Sequence, residues 1–222
     1  MLGSEAVLKA ALRYGCRTLL CSTSEVYGKG IKFPFREDDD VLLGTTDKTR
    51  WAYAASKMVD EYLGYAYARE FGLEVVLFRL FNTVGPRQTG EYGMVIPRFA
   101  RQAIQNEPIT VYGDGTQTRS FCDVRDVIRA IESLAQRPEA VGKLFNVGRS
   151  QEISMLDLAK RIRQLAGSSS EIALIPYEQA FAKGFEDMQR RIPSTDKIRE
   201  ILGWEPIIPL DDTLRAVIES ET

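Results

Sequence analysis

Tyr53 and Lys57 stand four residues apart in Tyr53-Ala54-Ala55-Ser56-Lys57, a short distance after Ser22-Thr23-Ser24-Glu25-Val26-Tyr27-Gly28. Residues four apart on a helix share a face, so the Lys57 ammonium can sit near the Tyr53 ring and favour its phenolate, lowering a pKa that is normally about 10. The pair then forms a base usable near neutral pH, and the hydroxyls of Thr23 and Ser24 and the carboxylate of Glu25 can work beside it. The chain has no histidine, which excludes Ser/His and Cys/His nucleophile pairs and histidine-ligated metals. Tyrosine, lysine and carboxylates must carry any acid–base work. Cys16, Cys21 and Cys122 have no CxxC spacing, which argues against a disulfide framework or a thiolate metal site. They are expected to be buried thiols, and no metal is expected.

The pattern of the chain indicates the elements that position these groups. Ala6, Val7, Ala10 and Ala11 fall at helical spacing within residues 4–14, with Gly15 as C-cap. Thr18-Leu19-Leu20-Cys21 reads as a strand buried on both faces, residues 52–71 as a helix stopped by Gly72, and Glu74-Val75-Val76-Leu77-Phe78 as a second buried strand. Strand, helix, strand in that order implies a parallel pair with a right-handed crossover. Residues 28–50 contain Pro34, the acids Glu37 to Asp40 and a Gly/Thr-rich stretch, and are expected to form a solvated surface loop.

After Phe81 the pattern gives an irregular loop around Gly85-Pro86-Arg87-Gln88 and Tyr92-Gly93, then a helix over 95–105. Ile109-Thr110-Val111-Tyr112 reads as a strand, answered across the Gly113-Asp114-Gly115 turn by residues 118–121 in a hairpin. A helix over 123–136, a strand over 143–147 and a helix over 154–166, N-capped by Ser154 with Asp157 at its third position, follow. The last third holds a strand over 172–175, a loop rich in charge and glycine, and helices over 196–202 and 210–219.

With 222 residues and 44% hydrophobic content, the chain can bury a core as one domain or as one domain plus a small lobe. Twenty-nine basic against 31 acidic residues give a net charge of −2 without a basic run, so nucleic acid is not an expected partner. Its apolar stretches fall short of the roughly 20 residues that a membrane span requires, and the N-terminus lacks a signal peptide's charged start and apolar core. The expectation is a soluble, cytoplasmic protein that does not bind membranes.

Four blocks occur in one order: Ser22 to Gly28, Tyr53 to Lys57, Arg79-Leu80-Phe81-Asn82-Thr83-Val84-Gly85-Pro86-Arg87, and Val111-Tyr112-Gly113-Asp114-Gly115-Thr116-Gln117-Thr118-Arg119. Together they resemble the extended short-chain dehydrogenase/reductase family that acts on nucleotide sugars. That family includes UDP-glucose 4-epimerases, UDP-glucuronate decarboxylases and dTDP-glucose 4,6-dehydratases. The resemblance covers essentially the whole chain and implies an α/β fold, the later strands of a partial Rossmann-type parallel sheet with a small C-terminal substrate-binding lobe. Residues 1–85 would be the C-terminal part of the NAD-binding domain, and residues 86–222 mainly the lobe, interleaved with the remaining Rossmann elements. The implied cofactor is NAD and the implied ligand a UDP-sugar or other nucleotide sugar. The complete enzyme is expected to be a homodimer paired through the helix over 52–71. Family members begin with a glycine-rich dinucleotide fingerprint and earlier strands that this sequence lacks, on the order of 100 residues at about 30 per strand–helix unit. NAD is therefore expected to bind weakly to this chain.

By the same resemblance, Tyr53 takes a proton from a sugar hydroxyl as hydride leaves for NAD. Lys57 also bonds the nicotinamide ribose, with Ser22 on the cofactor side, and Thr23 hydrogen-bonds the hydroxyl being oxidised. Dehydratases typically carry Asp where this chain has Ser24; Ser24 followed by Glu25 matches decarboxylases, in which the carboxylate assists loss of CO2 from a 4-keto intermediate. Asn82 and Arg119 resemble residues that hold the nucleotide diphosphate, a ligand that suits an arginine fork, and Arg87 is a further candidate. Arg191 stands where decarboxylase-like members carry an arginine near the sugar carboxylate or diphosphate. The implied function is C4 oxidation of a UDP-sugar followed by epimerisation or decarboxylation. A dTDP-glucose 4,6-dehydratase-like outcome is the alternative subclass, and a catalytically silent fragment that binds a nucleotide sugar or a partner chain is the alternative class.

Overall fold

Helix α1 (Leu2–Tyr14) closes at Gly15, whose φ of +64° suits glycine, and leads into β1 (Thr18–Thr23). The computed structural model describes residues 2–90, 94–180 and 190–221; Tyr92-Gly93 and residues 181–189 of the expected loops lie outside them. One turn of 3-10 helix (Ser24–Tyr27) and an irregular segment follow, and then α2 (Arg50–Phe71), which Gly72 ends in the left-handed conformation. β2 (Val75–Leu80) returns parallel to β1, in register from Thr18 opposite Val75 to Thr23 opposite Leu80. The predicted strand–helix–strand unit is thus present.

The chain continues through β3 (Thr83–Val84), α3 (Val95–Ile104), β4 (Ile109–Tyr112), β5 (Thr118–Ser120), β6 (Cys122–Asp123) and α4 (Val124–Gln136). It then forms β7 (Leu144–Val147), β8 (Glu152–Ser154), α5 (Met155–Leu165), β9 (Ile172–Ile175), α6 (Tyr177–Ala180), β10 (Arg190–Arg191), α7 (Asp196–Leu202) and α8 (Leu210–Glu221). β7 pairs parallel with β2, giving the sheet order β1-β2-β7. Helices cover both faces: Leu8, Tyr67 and Leu73 pack with Val75 and Leu77 on one side, and Val127, Leu134, Ile198 and Trp204 with Val76 and Phe78 on the other. That two-sided cover is why β2 reads as an unbroken apolar run. Gly64 lets α2 lie close on the sheet, since a Cβ there would sit 2.5 Å from Leu20 Cδ1. A second core, built on Phe99, Val111, Leu158, Ile162 and Leu214, unites α3, β4, α5 and α8. No helix among the described residues is long and apolar enough to cross a membrane.

Four sequence expectations are corrected. β1 is only partly buried, with Leu19 and Leu20 intermediate and Cys21 exposed, because among the described residues it is the edge of its sheet. Cys16 is also exposed, so only Cys122 is a buried thiol, its pKa pushed up to about 12 chiefly by burial. The hairpin between β4 and β5 does not form: β4 pairs with β9, and β5 with β8 and β10. Gly113 and Gly115 both have positive φ, and the carbonyls of Gly115 and Gln117 accept from the N–H groups of Leu156 and Met155, so this turn feeds the start of α5 rather than a partner strand. The segment 28–49 is not wholly solvated. Phe35 is buried and stacked on Tyr27 at 4.5 Å, and Glu37 accepts the Asn146 backbone N–H at 2.8 Å.

Candidate active site

The C-terminal ends of β1 and β2 open on a cleft of about 900 Å3, lined from the sheet side by Thr23, Ser24, Glu25, Tyr53 and Asn82 and from the second core by Arg98, Tyr112, Gln117, Arg119 and Tyr177. Residues far apart in sequence meet here because parallel strands place all their C-terminal ends on one side, which is where open α/β sheets bind ligands. Thr23 leaves β1 in an extended conformation and caps the 3-10 turn, its Oγ1 accepting the Glu25 N–H at 3.3 Å. That bond fixes the hydroxyl oxygen and leaves its O–H to donate into the cleft.

Glu25 is the electrostatic centre of the site. Its Oε1 accepts from Arg191 Nη1 and its Oε2 from Arg50 Nη2 at 3.4 Å. Arg191 also donates through Nη2 to Asn82 Oδ1 at 2.5 Å, and Asn82 Nδ2 donates to the Ser120 carbonyl at 2.8 Å. Asn82 holds φ at +26°, a backbone angle that asparagine tolerates better than most residues. Burial pulls the Arg191 pKa down against the opposing pull of Glu25. With an arginine on each oxygen, the Glu25 carboxylate is oriented by two charge-assisted bonds.

Tyr53 is 56% exposed and lines the cleft, so its hydroxyl is open to a ligand. Lys57 lies one turn further along α2, where its Nζ donates to Asp60 Oδ2 at 2.9 Å. The Asp60 carboxyl is held below its ordinary pKa: burial acts to raise it, but hydrogen bonds from Ser4 and Lys57 outweigh that. Arg119 lines the cleft and donates to the Thr118 carbonyl at 2.8 Å.

Three sequence candidates are not brought to the cleft wall: Ser22, Arg87 and Lys57, whose ammonium is turned to Asp60. Ser22 is buried, its hydroxyl donating to Glu61 Oε1 at 2.5 Å. Arg87 is exposed, with φ +64°, and its backbone N–H donates to Ser220 Oγ at 3.3 Å. The sequence reading missed Arg50, which begins α2, and Arg98. The Arg98 guanidinium lies 4.1 Å over the Tyr112 ring and donates to the Thr110 carbonyl at 3.2 Å; burial pulls its pKa down. An arginine set between Pro97 and Phe99 on a strongly amphipathic helix was the signal available for it.

Residues 1–148 match the family described as NAD dependent epimerase/dehydratase family. The chain is 42% identical over 219 residues to a UDP-N-acetyl-alpha-D-glucosaminuronate decarboxylase of Bacillus cytotoxicus, covering 98% of this chain and 67% of that protein. It is 39% identical over 219 residues to UDP-glucuronic acid decarboxylase 1 of Xenopus tropicalis, covering 98% of this chain and 49% of that one, so it spans about half the length of this relative. Among solved structures it is similar to an epimerase of Methanothermobacter thermautotrophicus, with a TM-score of 0.88 and 28% identity over 99% of this chain and 63% of that one. A UDP-glucose 4-epimerase of Thermotoga maritima solved with UDP-glucose gives a TM-score of 0.87 at 28% identity, over 99% of this chain and 68% of that one.

Proposed function

The chain belongs to the NAD dependent epimerase/dehydratase family, and from that premise we propose that its cleft serves the NAD-dependent decarboxylation of a UDP-linked sugar acid. The observation that carries this reading is charge. Among the described lining residues the cleft has four guanidinium groups, those of Arg50, Arg98, Arg119 and Arg191, against the single carboxylate of Glu25. A UDP-sugar acid brings a diphosphate and a carboxylate, one negative charge more than a neutral UDP-sugar, and so matches this excess better. The Bacillus and Xenopus relatives, named as decarboxylases of such acids, support the same choice.

In this reading Asn82 and Arg119 hold the diphosphate, and Arg191 and Glu25 stand beside the sugar carboxylate. Tyr53 accepts the proton of the C4 hydroxyl while Thr23 donates to the same oxygen. NAD, when bound, would supply the hydride chemistry at C4, oxidation first and reduction afterwards. The fit to the nicotinamide end of that cofactor rests on the half-exposed Tyr53 phenol, which lines the cleft, with Lys57 one turn further along α2 and its ammonium on Asp60. Tyr53 and Lys57 would hold it there.

With C4 a ketone, the C5 carboxylate is a β-keto acid. The electrons of its C–C bond flow toward the C4 oxygen as CO2 leaves, and Tyr53 and Thr23 stabilise the charge growing there. Glu25, oriented by its two arginines, assists departure of the carboxylate. A proton taken up from solvent then replaces CO2 at C5, and Tyr53 returns its proton to the C4 oxygen, so the net change is loss of CO2 and uptake of one proton. By the same reading residues 1–85 serve the cofactor side and residues 86–222 mainly the substrate lobe; β7 in the main sheet supports their interleaving.

The test is to incubate the chain with NAD and a panel of UDP-sugars and UDP-sugar acids and follow product mass. The expected product is the UDP-pentose from UDP-glucuronate, or the corresponding decarboxylated amino sugar, with Glu25→Gln abolishing it while UDP still binds. Epimerised product of unchanged mass, or neutral UDP-sugars turned over in preference, would overturn the decarboxylase reading.

A further inference from the structure

A buried carboxylate outside the cleft joins the elements that carry its reacting groups. Glu61 is 6% exposed and lies on α2 four residues after Lys57 and eight after Tyr53, on the same helix face. Its Oε1 accepts from Ser22 Oγ at 2.5 Å and from Arg79 Nε at 2.9 Å, and its Oε2 accepts from Arg79 Nη2 at 2.7 Å. Ser22 is the residue before Thr23 on β1, and Arg79 is three residues before Asn82 on β2. One carboxylate therefore ties the helix bearing the phenol to both strands whose ends form the site.

The tie extends beyond Arg79. Its guanidinium lies 4.5 Å over the Tyr27 ring, and Tyr27 Oη donates to Asn146 Oδ1 at 2.7 Å on β7. Asn146 Nδ2 donates to the carbonyls of Phe35 at 3.0 Å and Ser194 at 3.3 Å, and Ser194 stands three residues after Arg191. Burial pushes the Tyr27 phenol up to about 12, so this ring stays a neutral donor. Arg79 has its pKa raised, since its bond to Glu61 and the facing Tyr27 outweigh burial.

We infer that Glu61 is a positioning residue, fixing the Tyr53 hydroxyl against Thr23 through its bonds to Ser22 and Arg79. An ion pair is not required to fill this space, because apolar side chains of similar volume are often as stabilising in a core. Its bonds supply direction instead. Apolar packing allows a helix to slide or roll over a sheet by fractions of an ångström, whereas three short bonds to two strands do not. A displacement of about 1 Å at a reacting group can cost on the order of 100-fold in rate.

The inference rests on Tyr53 being the base of the proposed function, and the test separates the two. In Glu61→Gln, with the whole chain, kcat on the UDP-sugar acid is expected to fall about 10- to 100-fold while KM and UDP affinity by calorimetry stay within about twofold. Ser22→Ala, which removes one bond and little volume, should lower kcat by less in the same pattern, and it stands in if Glu61→Gln does not fold. Unchanged kcat, or kcat falling together with UDP affinity, would overturn the inference in favour of a purely structural ion pair. If the unaltered chain turns over no UDP-sugar acid, the functional reading fails. Glu61 is then judged by crystal structures of the chain and the variant: displacement of the Tyr53 hydroxyl relative to Thr23 Oγ1 supports positioning, and an unmoved hydroxyl overturns it.

Discussion

At the scale of single residues, the site works by committing its charges to one another. Glu25 has an arginine on each oxygen, and Asn82 spends its carbonyl on Arg191 and one amide hydrogen on Ser120. Asn82 therefore braces Arg191 as much as it faces a ligand. Arg119 lines the cleft and donates to the Thr118 carbonyl at 2.8 Å, and the fork of its guanidinium suits a phosphate. A hydrogen bond to a charged group contributes about 1.5–3 kcal/mol, so Arg119→Ala should weaken UDP binding by at least about tenfold. Calorimetry with UDP checks this, and unchanged affinity would remove Arg119 from the diphosphate site.

At the scale of elements, one buried carboxylate ties α4 to α8. Asp123 is 1% exposed and begins α4, where its Oδ1 accepts the Arg125 N–H at 2.8 Å. Its Oδ2 accepts from Thr213 Oγ1 of α8, also at 2.8 Å, and Arg125 closes over both oxygens. Burial alone would raise the Asp123 pKa, but the bonds from Arg125 and Thr213 outweigh it and hold the carboxyl below its ordinary value. A folded-state pKa below the unfolded one adds stability above the unfolded value of about 3.9, and that stability is lost as pH falls through the folded value. Asp123→Ala should cost about 1–3 kcal/mol near pH 7. Urea unfolding should show the gap between the two proteins narrowing near pH 3, and a gap of constant size would mean that packing, not the charge, is responsible.

For the molecule as a whole, charge is concentrated where the chemistry is proposed. The chain has a net charge of −2, yet the described lining of the cleft carries four arginines and one acid. Such an arrangement draws an anionic ligand inward even on an overall acidic protein. The cofactor side is built differently. In the proposed function Tyr53 and Lys57 serve only the nicotinamide end, and the 222 residues contain no glycine-rich turn of the kind that cradles a pyrophosphate at a helix N-terminus. NAD titrated into this chain should therefore bind no more tightly than about 100 μM. A low-micromolar affinity by calorimetry would point to a cofactor site beyond Tyr53 and Lys57.

The sequence by itself determined the local structure and the chemical vocabulary. Helix spacing placed Tyr53 and Lys57 on one helix, the apolar runs placed β1 and β2 in parallel, and Ser154 caps α5 with its Oγ accepting the Asp157 N–H as expected. These features depend on near neighbours, whose periodicity and capping preferences are written in consecutive residues. Only the tertiary structure decided which distant groups meet. Arg191 reaches Glu25 across 166 residues, Arg50 closes the other side of that carboxylate, and Glu61 gathers Ser22 and Arg79. The same holds for the rejected hairpin, where β4 finds β9 and β5 finds β8. Strand order and helix docking follow from burying all apolar faces at once, and no short window of sequence contains that condition.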